Sequence, residues 1–285
     1  MKLQVQHVTT YRYTAPTSYS IQLLKLTPRR ELAQRALWWR LRTPGRYVEQ
    51  LDAFGNVAHL LTLEGAHGEV VLQAEGVVET DDGYNGHLNA ENGLSPLVYV
   101  TPTPLTRPNA AIEALAHEVF DGRPATEPVL RRLIERVAEH VRYKPGSSQV
   151  SDAAADVIER GEGVCQDQTH VAIAACRAAG IAARYVSGYV LSNDGSASTH
   201  AWLDAWLAHE GRWLSCDVSH GALAGPAQVR LAVGRDYLDA APVRGMRRGG
   251  GQEKLDVRVS VCEAPGVPAD VRRATIAQQM GQQQA

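Results

Sequence analysis

The chain has 285 residues, 44% of them hydrophobic and 21% charged, with 29 Lys and Arg against 31 Asp and Glu for a net charge of −2. That apolar share supplies a core, the length suggests about two domains, and the lack of a basic excess or stripe argues against a nucleic-acid partner. No apolar run nears the ~20 residues of a membrane span, Met1 to Lys25 has no continuous apolar stretch of the signal-peptide kind, and four cysteines are too few for a disulfide scaffold. A soluble protein of the reducing cytoplasm, with thiol cysteines, is therefore expected.

The first hundred residues carry strand periodicity. Met1 to Tyr13 places Leu3, Val5, Thr9, Tyr11 and Tyr13 at period two. Val57, His59, Leu61 and Leu63 alternate with Ala58, Leu60 and Thr62, and Glu69–Val78 is a second β-branched run. Gly45, Asp52–Gly55, Gly65 and Asp81–Gly83 read as turns between strands. An antiparallel β-sandwich over residues 1–100 is expected. Pro96, Pro102, Pro104 and Pro108 then predict an extended connector and a domain boundary.

Helices follow. Asn109 is placed to cap Ala110–Phe120, and Thr126 to cap a helix with Pro128 in its first turn. In that second helix Val129, Leu130, Leu133, Ile134, Val137, Ala138 and Val141 share one face. Ser151 is placed to cap Asp152–Arg160, and Gly161 to stop it. A small-residue helix then runs from Cys165 to Ala179. Strands are predicted at Ala182–Leu191, Thr199–Leu207 and Arg212–Val218, with a polar loop at Ser192–Ser198. Beyond residue 245 only a strand at Leu255–Val261 and a Gln-rich, disordered tail are expected.

Chemistry concentrates between residues 161 and 217. Cys165 follows two glycines and opens a helix, where unpaired N–H groups and the positive dipole end favour a thiolate. Thiolate is the nucleophilic form of cysteine. On position alone, a small buried hydrophobe describes a single cysteine slightly better. His200 changes the balance. On one face of its strand lie His200, Trp202, Asp204 and Trp206; on the other lie Ala201, Leu203, Ala205 and Leu207. The next strand puts Trp213, Ser215 and Asp217 on one face, and the short turn Ala208–Arg212 makes the two strands a hairpin. Facing residue numbers that sum to 417 would set Asp217 directly opposite His200, and 419 would set it diagonal. Either register makes one functional and one buried face. A carboxylate beside an imidazole orients the ring and stabilises imidazolium. Cysteine, histidine and aspartate thus supply the three roles of a thiol triad.

These residues resemble the transglutaminase-like superfamily of cysteine enzymes in its bacterial form. The likeness rests on Gly161-Glu162-Gly163-Val164-Cys165-Gln166-Asp167, on Gly180-Ile181-Ala182-Ala183-Arg184-Tyr185-Val186-Ser187-Gly188-Tyr189, on His200-Ala201-Trp202-Leu203-Asp204-Ala205-Trp206 and on Trp213-Leu214-Ser215-Cys216-Asp217. Tyr11-Arg12-Tyr13 and Leu26-Thr27-Pro28-Arg29 resemble the β-rich N-terminal domain of these proteins, and Gly234-Arg235-Asp236-Tyr237 the end of their core. Val218 departs from the family's usual proline after the aspartate. The resemblance implies an α+β, papain-like core over 109–245 behind the β-sandwich domain, with a C-terminal strand and flexible tail over 246–285. It implies Cys165 as nucleophile, His200 as general base and acid, and Asp217 as orienter. The implied reaction is acyl transfer at an amide through a thioester, ending in hydrolysis or in transfer to an amine. Partners would be a peptide or protein substrate and an amine acceptor, with no nucleic acid and no membrane. A non-catalytic peptide-binding or structural module is the alternative, and a broken triad would mark it.

No cofactor and no metal are expected. Cys165, His170 and Cys176 do not have zinc spacing on one helix, and Asp81-Asp82 is too short for a calcium loop. Cys176 and Cys216 read as buried core; Cys262 is uninformative. Trp202, Trp206, Trp213 and Tyr189 read as core aromatics, with those on the His200 face also open to contacting substrate.

Overall fold

The computed structural model describes residues 1–89, 94–191 and 197–264. The Gln-rich tail and Ser192–Ser196 of the polar loop lie outside them. Among the described residues no helix is long and apolar enough to cross a membrane.

Strands β1 (Lys2–Leu24), β2 (Gln34–Arg42), β3 (Tyr47–Leu51) and β4 (Val57–Thr80) belong to the first sheet. β1 and β4 run antiparallel for nearly their full lengths, and β2 and β3 pair with successive stretches of β4. The two runs at Val57–Leu63 and Glu69–Val78 are therefore one strand. Gly65 does not end it: at φ +84° it bends the chain within the strand, opposite an irregular stretch of β1 between Arg12 and Tyr19. Extra residues in a ladder bend it without breaking it. Leu24 and Leu61 from one half then meet Val70, Leu72 and Ala74 from the other in a single apolar cluster. The expected sandwich is thus realised by one hydrogen-bonded sheet whose two halves share a core.

After β5 (His87–Asn89) comes the proline run. It is not an extended connector. Short 3-10 turns at Pro96–Tyr99 and Pro104–Thr106 bury Tyr99, Leu105 and Thr106. Arg177 Nε–H donates to the Tyr99 carbonyl at 2.9 Å and Nη1–H to Thr106 Oγ1 at 2.5 Å. Prolines suit these turns because each opens one, where its missing N–H costs nothing.

Helices α1 (Ala110–Phe120), α2 (Glu127–His140) and α3 (Ala154–Arg160) surround α4 (Cys165–Ala178). Asn109 caps α1 through the Ile112 N–H at 3.0 Å. Thr126 is the N-cap residue of α2, with no side-chain cap bond, and Ser151 does not cap α3, which starts at Ala154 behind Ala153. Between them β6 (Arg142–Tyr143) pairs in parallel with β7 (Glu162–Gly163). The core sheet has the order β11-β10-β9-β8-β12, with β5 also on β10, for β8 (Ala183–Leu191), β9 (Ala197–Leu207), β10 (Arg212–Asp217), β11 (Ala222–Leu223) and β12 (Gln228–Gly234). The apolar side of β9 (Ala201, Leu203, Ala205, Leu207) shares a cluster with Val171, Ala172 and Ala175 of α4. β12, unrecognised in the sequence, is buried at every residue and so lacks alternation. Past the short helix α5 (Tyr237–Ala240), β13 (Val243–Gly249) and β14 (Glu253–Glu263) return to pair with the two halves of β1.

Gly188 faces His200 across the β8–β9 ladder. A Cβ there would lie 2.1 Å from the Val229 carbonyl and 2.6 Å from the Trp202 ring. Gly188→Ala should therefore destabilise the fold by roughly 1–3 kcal/mol of overpacking. Chemical denaturation of the variant measures it, and an unchanged midpoint would refute the crowding.

Candidate active site

The β9–β10 hairpin takes the diagonal register. Trp213 faces Trp206 and Ser215 faces Asp204, so facing residue numbers sum to 419. Asp217 follows at the end of β10, one step off His200. His200 Nε2–H donates to Asp217 Oδ2 at 2.8 Å, and both side chains are buried. Cys165 lies close enough to His200 to help raise the pKa of the ring. The structure thus brings together all three residues singled out in the sequence.

Local sequence explains the cysteine's placement. Val164 is the N-cap of α4, and its N–H donates to Asp167 Oδ2 at 2.7 Å, while Ser148 also donates to that oxygen. Asp167 is buried, which pushes its carboxyl pKa up against these two hydrogen bonds. Cys165 is then the first helical residue, on the turn whose N–H groups lack intrahelical acceptors. Burial pulls the His200 pKa down, but the hydrogen bond to Asp217 and the nearby Cys165 outweigh it and raise the ring to about 10. Burial likewise opposes ionisation of Asp217, and the donors His200 and His220 outweigh it, holding the carboxyl well below its ordinary value. The arrangement favours a charged imidazolium beside the Asp217 carboxylate.

Sequence reasoning missed several neighbours. His220 and Gln228 donate to Asp217, while Trp202, already placed on the His200 face, stacks on His200 at 5.9 Å. Tyr143 is held beside Gly163 by the β6–β7 pairing. Burial and then the Cys165 charge raise its phenol pKa, so the half-exposed ring stands near the thiol. The signal for Tyr143 was absent because a two-residue strand has no period. Among the described residues, His200, Asp217 and His220 are the one grouping whose ligand atoms, all within 4.8 Å of one another, could hold a metal. Three donors already satisfy the carboxylate there.

The expectation of one functional and one buried face on β9 is corrected. His200, Trp202 and Asp204 are buried too. Asp204 accepts from Arg184 Nε at 2.7 Å and from Arg230 Nη2 at 2.6 Å. Arg230 Nε lies 2.8 Å from Glu31 Oε2, an ion pair not aligned as a hydrogen bond, and Arg29 Nε donates to Glu31 Oε1 at 2.7 Å. A charged face can be buried because Arg184 of β8 and Arg230 of β12 bring the matching charge, and Glu31 of the loop before β2 pairs with Arg230. Cys176 and Cys216 are buried, with thiol pKa values pushed up by burial, to about 12 for Cys176. Cys262 is exposed. His170 is buried against Tyr185, where burial lowers its pKa to about 3, and its Nε2 accepts from the Tyr237 N–H.

Residues 113–218 match the transglutaminase-like superfamily, and residues 3–79 match the bacterial transglutaminase-like N-terminal region. The chain is 30% identical over 295 residues to the uncharacterized protein Rv2569c of Mycobacterium tuberculosis, covering 93% of this chain and 94% of that one. It is 28% identical over 288 residues to the uncharacterized protein ML0607 of Mycobacterium leprae, covering 91% and 98%. The crystal structure of a protein from Cytophaga hutchinsonii, provisionally described as a cysteine protease, superimposes with a TM-score of 0.72 over 94% of this chain and 93% of that one, at 22% identity. That likeness shows the shared α+β fold. With both of its regions matched and relatives that run its full length, the chain belongs to the transglutaminase-like superfamily.

Proposed function

We propose that the protein is a thiol acyltransferase acting on amide bonds, with Cys165 as nucleophile, His200 as acid and base, and Asp217 as orienter. The observation that carries this reading is the buried hydrogen bond between His200 and Asp217, with Cys165, the first residue of a helix, close enough to the imidazole to help raise its pKa. The Cys165 thiolate attacks a carboxamide or peptide carbonyl, forming an S–C bond and an oxyanion. The N–H groups of the first turn of α4 face that developing charge. As the C–N bond breaks, the imidazolium gives its proton to the leaving amine, and a thioester is left. Water or an amine then attacks the thioester, and His200 takes the incoming proton. Water yields hydrolysis; an amine yields a new amide. Peptides or proteins are the fitting substrate class, because they carry the carboxamide and peptide carbonyls that such a thiolate attacks.

Iodoacetamide at mildly acidic pH should modify Cys165 well before the exposed Cys262, with Cys176 and Cys216 protected by burial. Mass-spectrometric mapping of the first labelled cysteine reads the outcome. Labelling of Cys262 as fast as Cys165 would sink the reading and favour a non-catalytic module.

A further inference from the structure

Asp217 is held by more than His200. Its Oδ2 also accepts from His220 Nδ1–H at 2.9 Å and from Gln228 Nε2–H at 2.9 Å, and its Oδ1 accepts from the His220 backbone N–H at 3.3 Å. His220 therefore touches both carboxylate oxygens, one with its ring and one with its main chain. A carboxylate gripped at both oxygens cannot turn about its last torsion, which is otherwise broad. The turn that carries His220 is closed by Gly221 N–H on the Val218 carbonyl at 3.1 Å. Ser219 Oγ–H in the same turn donates to Gln168 Oε1 of α4 at 2.9 Å. The plane of Asp217 is thus referenced to the helix that bears Cys165. The His220 ring also stands edge-on to His200, with centroids 4.8 Å apart.

We propose that His220 is a positioning residue that keeps the Asp217 carboxylate aimed at His200. The proposal rests on the acyl-transfer reading above and deepens it. Core packing does not account for the residue: the His220 side chain is 40% exposed, while that of Asp217 is fully buried. Removing it opens space to solvent rather than leaving a sealed cavity. What is lost is one of the three side-chain donors that fix Oδ2 toward His200.

Two variants separate positioning from mere occupancy. His220→Ala removes the ring donor; His220→Asn keeps an amide N–H at about the place of Nδ1. Three readouts are taken on the full chain: the rate of Cys165 alkylation by iodoacetamide, the His200 titration by imidazole NMR, and the thermal midpoint. His220→Ala should slow Cys165 alkylation near neutral pH by roughly 10- to 100-fold, the scale known for hydrogen-bonded partners that orient metal-binding histidines and carboxylates. It should also move the His200 midpoint down from about 10, with little change in thermal midpoint. His220→Asn should restore most of both. Wild-type alkylation in His220→Ala, or a His200 midpoint that stays or rises, overturns the proposal. Equal losses in both variants overturn it as well, since the donor would then not be what matters. A wild-type Cys165 no more reactive than Cys262 is a different failure. It removes the acyl-transfer reading itself, and the role of His220 with it.

Discussion

Replacing Asp217 with asparagine should cut turnover by a large factor, with about 10⁴ as the extreme known for the analogous change in a serine triad. The fold should persist, because the side chain is nearly isosteric and its environment is rich in donors. Those donors are also the reason for the loss. Three N–H groups converge on Oδ2, from His200, His220 and Gln228. An amide that turns its NH₂ toward them meets only donors, and one that turns its oxygen toward them offers no negative charge. Either way the imidazolium loses its buried counter-charge. The pH dependence follows with its sign. The His200 pKa rises from 6.5 to about 10 in the folded protein. Its stabilising contribution is then complete below about pH 6.5 and is lost as pH rises toward 10. Asp217, whose pKa is depressed, contributes stability above its ordinary range that is lost on acidification. In Asp217→Asn the alkaline loss should begin at lower pH. Turnover of a fluorogenic peptide amide and pH-dependent unfolding measure the two effects, and full activity in the asparagine variant would end the assignment.

Glu31→Gln should destabilise the whole chain by about 3–5 kcal/mol, although Glu31 lies far from Cys165 in sequence. The Glu31 side chain is buried, and Arg230, Arg29 and Arg184 overcome the burial penalty to lower its pKa. The buried cluster contains the cations Arg29, Arg184 and Arg230 and the anions Glu31 and Asp204. Removing this anion takes the Glu31 charge from beside Arg29 and Arg230 in a buried setting. The cluster joins the loop before β2 to β8, β9 and β12, and it underlies the strand that carries His200. Arg230 also lies over Trp202, at 5.8 Å from the ring centroid, and Trp202 stacks on His200. The variant should therefore unfold at lower denaturant in a single transition with a loosened His200. A stability within about 1 kcal/mol of the parent would show that the network is not needed. Two separate transitions would show that the first sheet and the core unfold independently.

The amino-acid order alone carried the local half of this protein. Helix α4 begins at Cys165 because two glycines and the Asp167 side chain, three residues on from the Val164 N-cap, satisfy the rules of a helix start. The β9–β10 hairpin was legible because strand alternation and a short turn restrict the register to a few values. The motifs around Cys165, His200 and Asp217 carried the family. Tertiary structure decided the rest. Alternation is silent where both faces of a strand are buried, as in β12, and where a strand has two residues, as in β6, so neither β12 nor Tyr143 could be placed. Gly65 reads as a turn in any local window; only pairing with β1 along both sides of it makes β4 one bent strand. Asp204 looked like part of an open functional face because its charge partners Arg184 and Arg230 lie 20 and 26 positions away. His220 gave no signal for the same reason as Gln228: each has meaning only through the carboxylate it meets. Local sequence sets backbone preference within a few residues, whereas burial and charge compensation depend on which distant segments the fold brings together.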